Sequence, residues 1–174
     1  MRQLFVTTVA AVVAAGLWAG QAQAGKVEVK GPHVCCKQCV TIVEGFMGKV
    51  EGVSEVKAAA KMPVTFTAKD DKAALAGVKA LIDNGFYGTA THDGKEIKID
   101  VPAAKKEKAD TVTVKEVHVC CKQCQNAINP LFTDAKVSYE GQGAKKTVKI
   151  EGKDLDKAAV LEALRKAGFN GKVE

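Results

Sequence analysis

Aromatic residues are scarce in this chain, and its single tryptophan, Trp18, lies near the start. A single-stranded nucleic-acid groove pairs a basic stripe with aromatic stacking platforms. Here the formal charge of +6 comes from lysines spread along the chain with acids mixed among them. Nucleic acid is therefore not an expected partner, and ordinary solubility accounts for the charge. Few aromatics also mean that any core must rest on Val, Ala, Leu and Ile. Beyond residue 24 no stretch is long and apolar enough for a bilayer span of about 20 residues, so stable membrane insertion is not expected once the leader is removed. Cysteine is absent from every part of the chain except two short segments. A disulfide framework scatters its cysteines so that each bond staples distant segments, and a bond inside either tight cluster would stabilise little.

What is present is a repeat. His33-Val34-Cys35-Cys36-Lys37-Gln38-Cys39 returns as His118-Val119-Cys120-Cys121-Lys122-Gln123-Cys124, shifted by 85 positions, and holds all six cysteines and two of the three histidines. Thiolate and imidazole hold copper(I), zinc and similar ions, so the repeat points to metal or redox chemistry. It also divides the chain. The first residues have the anatomy of a secretory signal peptide: Arg2, an uncharged apolar run from Leu4 to Ala19, and Ala22-Gln23-Ala24 as a small-x-small cleavage site before Gly25. Residues 1–24 are expected to be removed, which leaves about 150 residues, enough for two small domains. These are placed at 25–94 and 111–174, joined by a linker at 95–110, and the location expected is the periplasm or outside the cell.

Periodicity supplies the elements. Lys26–Lys30 alternates as a half-buried strand should. A helix follows from Cys39 to Met47, then strands near Val53–Val56 and Val64–Thr67, and a helix over 73–83 with Leu75, Val78, Leu81 and Ile82 on its apolar side. Asn84-Gly85 stops that helix, and a last strand begins at Phe86 and runs to Ala90. Ile97, Ile99 and Val101 alternate, and Pro102–Lys108 reads as a solvated, alanine-rich linker. The second copy repeats the order, with strands near 112–115, 135–140 and 147–150, helices over 123–128 and 154–166, and Gly168-Phe169 answering Gly85-Phe86. Pro130 should end its first helix near Asn129. The fold class expected is α+β, two tandem ferredoxin-like βαββαβ domains, each an antiparallel four-stranded sheet with two helices on one face.

The loop between the first strand and first helix, the later Gly52-Val53-Ser54-Glu55-Val56, and the closing Gly85-Phe86 and Gly168-Phe169 resemble the heavy-metal-associated domain family. Its members include copper chaperones, the N-terminal modules of copper-transporting ATPases and the periplasmic mercury-binding protein. The resemblance implies that Cys36 with Cys39, and Cys121 with Cys124, are metal ligands. It implies a metal-transporting membrane protein or an acceptor protein as partner, and Phe86 and Phe169 near the metal loops. Val34 and Val119 stand where the family has a packing methionine. Cys35 and Cys120 precede the first ligand, and His33 and His118 replace a glycine, so each loop offers one histidine and three cysteines.

Spacing alone puts Cys36 and Cys39 one helical turn apart and able to grip one ion. Adding Cys35 gives three thiolates, and adding His33 gives a Cys3His set known for zinc; Cys120 and His118 extend the second set in the same way. Adjacent residues usually point apart, which speaks against Cys35 and Cys36 sharing an ion. Phe86 and Phe169 read as core plugs, Met47 as core rather than a thioether ligand, and His92 as ordinary surface. The leading function is a non-enzymatic, exported soft-metal-ion binding protein that sequesters or passes on copper(I), with zinc or mercury as alternatives. A thiol–disulfide oxidoreductase and an interaction module with oxidised cysteines are the competing readings.

Overall fold

A computed structural model describes residues 24–174; the signal-peptide reading at residues 1–23 lies outside the described residues. The chain is α+β, with two antiparallel sheets and four α-helices. In the first half, β1 (Gly25–Lys30) lies between β3 (Val64–Ala68) and β4 (Thr89–His92), with β2 (Val53–Lys57) outside β3 and the two-residue β5 (Lys95–Glu96) outside β4. The order is β2-β3-β1-β4-β5. Alternation sets the register: Val27 faces Phe66 and Val29 faces Val64 across β1 and β3, and all four are buried. Each such side chain contributes roughly 1.5–3 kcal/mol by leaving water.

Helix α1 (Lys37–Met47) buries Cys39, Val43 and Met47, one residue per turn on one face. Helix α2 (Asp71–Asp83) is capped by Asp70, whose carboxylate accepts the Ala73 N–H at 2.7 Å. Its inner face is Ala73, Ala74, Gly77, Val78, Leu81 and Ile82. Leu75, expected on that side, is exposed. The buried face is centred on Ala74 and Leu81, and Leu75 falls beyond its edge; on the other side the Phe66 ring lies against Gly77, where even a methyl group would clash.

The second half repeats the arrangement as β6 (Lys108–His118), α3 (Lys122–Ile128), β7 (Lys136–Glu140), β8 (Lys145–Asp156), α4 (Lys157–Lys166) and β9 (Lys172–Val173), with sheet order β7-β8-β6-β9. A register shift between Val114 and Val117 lets Val112, Val114 and Val117 all point inward, opposite Val148 and Ile150. α3 has only seven residues; it stops at Ile128 and a 3-10 turn, Asn129–Leu131, carries Pro130. Helix α4 starts after Asp156, which accepts from Ala158 N at 2.8 Å and Ala159 N at 3.3 Å.

Three expected boundaries move. Phe86 precedes β4 rather than opening it. β6 begins at Lys108, inside the expected linker, and β8 continues to Asp156, into the expected start of α4. The connector packs down rather than standing in solvent: Ile97, Ile99, Val101 and Ala104 rest on the core, and Arg165 donates to the Pro102 carbonyl at 2.9 Å.

The halves join at their closing turns. Phe86 and Phe169 form an antiparallel bridge. Asn170 N donates to Gly85 O at 2.9 Å, Tyr87 N to Gly168 O at 3.0 Å, and the buried Asn170 amide to Ile82 O at 3.2 Å. The hydrophobic core runs through both sheets as one cluster. Among the described residues no helix is long and apolar enough to cross a membrane.

Candidate metal centre

Each cysteine loop is anchored by a buried valine. Val34 accepts from Lys61 N at 2.7 Å, and Val119 donates to Ala144 O at 2.7 Å; both side chains are in the core. Cys36 and Cys121 are the N-cap residues of α1 and α3, with extended backbones, and Cys39 and Cys124 sit one turn on, fully buried. Cys35, Cys36, Cys120 and Cys121 are half-buried, so the centre is shielded below and open above.

The bridge between closing turns brings the two loops together. Nine pairs of cysteine sulfurs lie 3.2–4.0 Å apart. Four pairs are within one loop, including Cys36–Cys39 at 3.5 Å and Cys121–Cys124 at 4.0 Å. Five cross between halves: Cys39–Cys120 at 3.2 Å, Cys35–Cys121 and Cys35–Cys124 at 3.7 Å, Cys36–Cys120 at 3.9 Å and Cys36–Cys121 at 4.0 Å. With a metal–sulfur bond of about 2.3 Å, two thiolates on one tetrahedral ion stand about 3.8 Å apart. The observed separations fall around that value. All six thiols are free.

The histidines are exchanged between halves. His33 stacks on Phe169, with ring centroids 4.4 Å apart, and His118 stacks on Phe86 at 4.3 Å. Nε2 of each is buried without a hydrogen-bond partner. His33 groups with Cys35 and with Cys124 of the other loop, their ligand atoms all within 4.8 Å. Gly85 and Gly168 permit this approach. Both have left-handed backbones, and a side chain on either would collide with the opposite loop, Gly85 against His118 N and Gly168 against Gly31 O and His33 N.

Burial shapes the protonation of the cluster. It pushes the Cys35 and Cys120 thiols well above the ordinary range, and Cys124 is raised by its hydrogen bond to Cys39 together with burial. Cys39 is held far below that range, chiefly because the Cys124 thiol favours its charged form, with His118 and Cys120 contributing. At Cys121 burial raises the pKa, but the backbone N–H groups of Cys124 and Gln123 at the start of α3 outweigh it and lower the value. Burial holds the His33 imidazole below its usual pKa, which favours the neutral, ligating form.

Groups of three cysteine or histidine ligand atoms that could hold a metal ion include Cys35 with Cys36 and Cys121. The adjacent pair therefore does come together, and the third donor is supplied by the other loop. His92 departs from the surface reading: its ring is largely covered, with Nδ1 2.7 Å from Asp71, and it lies outside the cysteine centre. Met62 is exposed and Met47 lies in the core. Residues not singled out from sequence also shape the centre. Tyr139 lies close enough to Cys124 to feel its charge, and burial first, then that charge, raises its phenol to about 12. Its hydroxyl donates to Asn129 Oδ1 at 2.6 Å. Asn170 locks the bridge, and the repeated Gly-Phe pair was its only sequence signal. No protein-family model matches the chain, and no curated protein sequence matches it.

Proposed function

We propose that this protein binds soft metal ions, copper(I) foremost, in a single centre assembled from both copies of the cysteine heptad. The observation that carries the reading is the convergence of six free thiols across the joint between halves, five of their nine close contacts crossing it. Thiolates favour soft and borderline ions such as copper(I) and zinc over hard ones. In that reading each half is a ferredoxin-like unit resembling the heavy-metal-associated domains, and the strand orders β2-β3-β1-β4 and β7-β8-β6-β9 support it. The protein is exported, acts as a carrier or store rather than an enzyme, and hands ions to a membrane transporter or an acceptor protein by thiolate exchange at the half-exposed Cys35, Cys36, Cys120 and Cys121.

The test is anaerobic titration of the reduced protein with copper(I), zinc(II) and mercury(II), with reactive thiols counted at each step. Uptake of copper(I) with protection of all six thiols supports the reading. Six thiols that stay reactive overturn the reading, and a metal-free protein that cycles insulin disulfides would replace it with the oxidoreductase reading.

A further inference from the structure

A cleft of about 630 Å³ lies between the two halves, and its lining holds no cysteine and no histidine. The volume falls within the roughly 300–1,000 Å³ of small-molecule pockets. From the first half come residues that follow β1 and precede β4, Gly31, Tyr87 and Gly88. The connector adds Ala103 and Ala104. From the second half, α4 contributes Ala158, Leu161, Glu162 and Arg165, whose i, i+3, i+4, i+7 spacing places them on one face of the helix. Alanine methyls, the Leu161 side chain and the Tyr87 ring give the cleft its apolar surface.

Charge in the lining is unbalanced. Lys30, Arg165 and Lys166 stand against one carboxylate, Glu162, and Lys166 holds that carboxylate at 2.7 Å. Arg165 is tied only to neutral oxygens among the described residues: its Nε donates to Asn170 Oδ1 at 3.0 Å and one terminal nitrogen to Pro102 O at 2.9 Å. A guanidinium has five N–H donors, so most of them are left over. The group stands over the Tyr87 ring, 5.2 Å from its centroid, which fixes its plane. Burial lowers its pKa, as expected of a cation drawn out of water without a counter-charge. Arg165 is also the only arginine beyond Arg2; every other cationic side chain there that is charged at all pH values of interest is lysine. Arginine rather than lysine suits two-point recognition of a planar oxyanion, because its donors form a rigid fork.

We propose that this cleft binds a free small carboxylate with an apolar body, the carboxylate on the unused donors of Arg165 and the body along Ala103, Ala104, Ala158 and Leu161. The two oxygens of a carboxylate match one guanidinium fork, and the bound anion supplies the counter-charge that Arg165 lacks. Lys30 lines the same cleft and adds long-range attraction for an anion. The alanine and leucine surface gives nothing to a ligand that is polar throughout, so the apolar body is needed for affinity. The site goes beyond the metal-binding reading and does not depend on it.

Isothermal titration calorimetry of the reduced full chain with decanoate, below its micellar concentration, tests this. The expected result is saturable binding of one decanoate per chain. Decanol, which lacks the charge, and inorganic phosphate, which lacks the apolar body, should each bind about tenfold more weakly or worse, the scale set by a hydrogen bond to a charged group. Arg165→Lys keeps the charge but loses the fork and should weaken decanoate by a similar factor. Ala103→Phe leaves Arg165 in place, fills the cleft and should abolish binding; because Ala103 is exposed, this variant serves if circular dichroism shows that Arg165→Lys does not fold. Absence of decanoate binding, decanol binding as tight as decanoate, or wild-type affinity in Ala103→Phe overturns the proposal. None of these outcomes bears on copper(I) uptake, which the cysteines govern.

Discussion

The sulfurs of Cys39 and Cys120 lie 3.2 Å apart, although 81 residues separate them and they belong to opposite halves of the chain. Cys39 is buried on α1, and Cys120 precedes α3 on the other loop. Their contact is the shortest among the six thiols and makes the duplicated motif one site.

Oxidation of the metal-free protein should therefore cross-link the halves. A two-electron oxidant such as diamide removes the two thiol hydrogens, and the Cys39–Cys120 pair is the nearest candidate. Peptide mapping should recover a first-heptad peptide joined to a second-heptad peptide. Copper(I) loading beforehand should suppress that product, because the sulfurs are then engaged.

The closing aromatics should matter to both stability and binding. Phe86 is buried and stacked on His118, and Phe169 is buried and stacked on His33. Phe86→Ala or Phe169→Ala should cost about 3–5 kcal/mol in denaturant unfolding, and should weaken copper(I) retention in chelator competition. Met62→Ala, on the exposed surface, should change neither.

Gly168→Ala should be damaging out of proportion to one methyl group. The residue has φ near +88°, and the added carbon would strike Gly31 O and His33 N. Strain of this kind costs about 1–3 kcal/mol, and here relief means moving one half away from the other. The expected signature is a lower melting temperature together with lower metal affinity, whereas Gly94→Ala, also at positive φ but in open space, should leave affinity unchanged.

Copper(I) affinity should rise with pH. Burial pushes Cys35 and Cys120 up, and the hydrogen bond to Cys39 with burial raises Cys124, so these three hold their protons through the neutral range when no ion is bound. Ligation requires thiolate, so the loaded state binds fewer protons, and raising pH favours it. Cys39 is held low and gives up no proton there. Competition against a pH-characterised chelator between about pH 6 and about pH 8 should show tighter binding at the alkaline end, and weakly buffered protein should acidify on loading.

The parts of this structure that were legible in the sequence are those set by local pattern. Val27 and Val29 alternate and face inward; Cys39, Val43 and Met47 recur at helical spacing and share a face; Pro130 falls where α3 has already ended. The parts that were not legible depend on the meeting of the halves or on close packing. Cys35 and Cys36 look divergent within one loop, and only the opposite loop makes them partners. Leu75 fits an apolar stripe on α2, but the buried face is centred on Ala74 and Leu81 and Leu75 falls beyond its edge. His92 has a polar neighbourhood in sequence, yet α2 brings Asp71 to its ring. Gly85-Phe86 and Gly168-Phe169 were visible as a repeat, but nothing local says that the two copies bind each other.

The most direct test of a single shared centre is copper(I) binding by the double variant Cys36→Ser/Cys39→Ser, which abolishes the first Cys-x-x-Cys and leaves the second heptad whole. A shared centre loses two of its six thiols and three of the five sulfur contacts that cross between halves, so affinity should fall by more than the roughly 10–100-fold that loss of an outer-shell partner alone costs. Retention of a copper(I) site at wild-type affinity in this variant would contradict the account, because it would show that the second loop binds its ion alone.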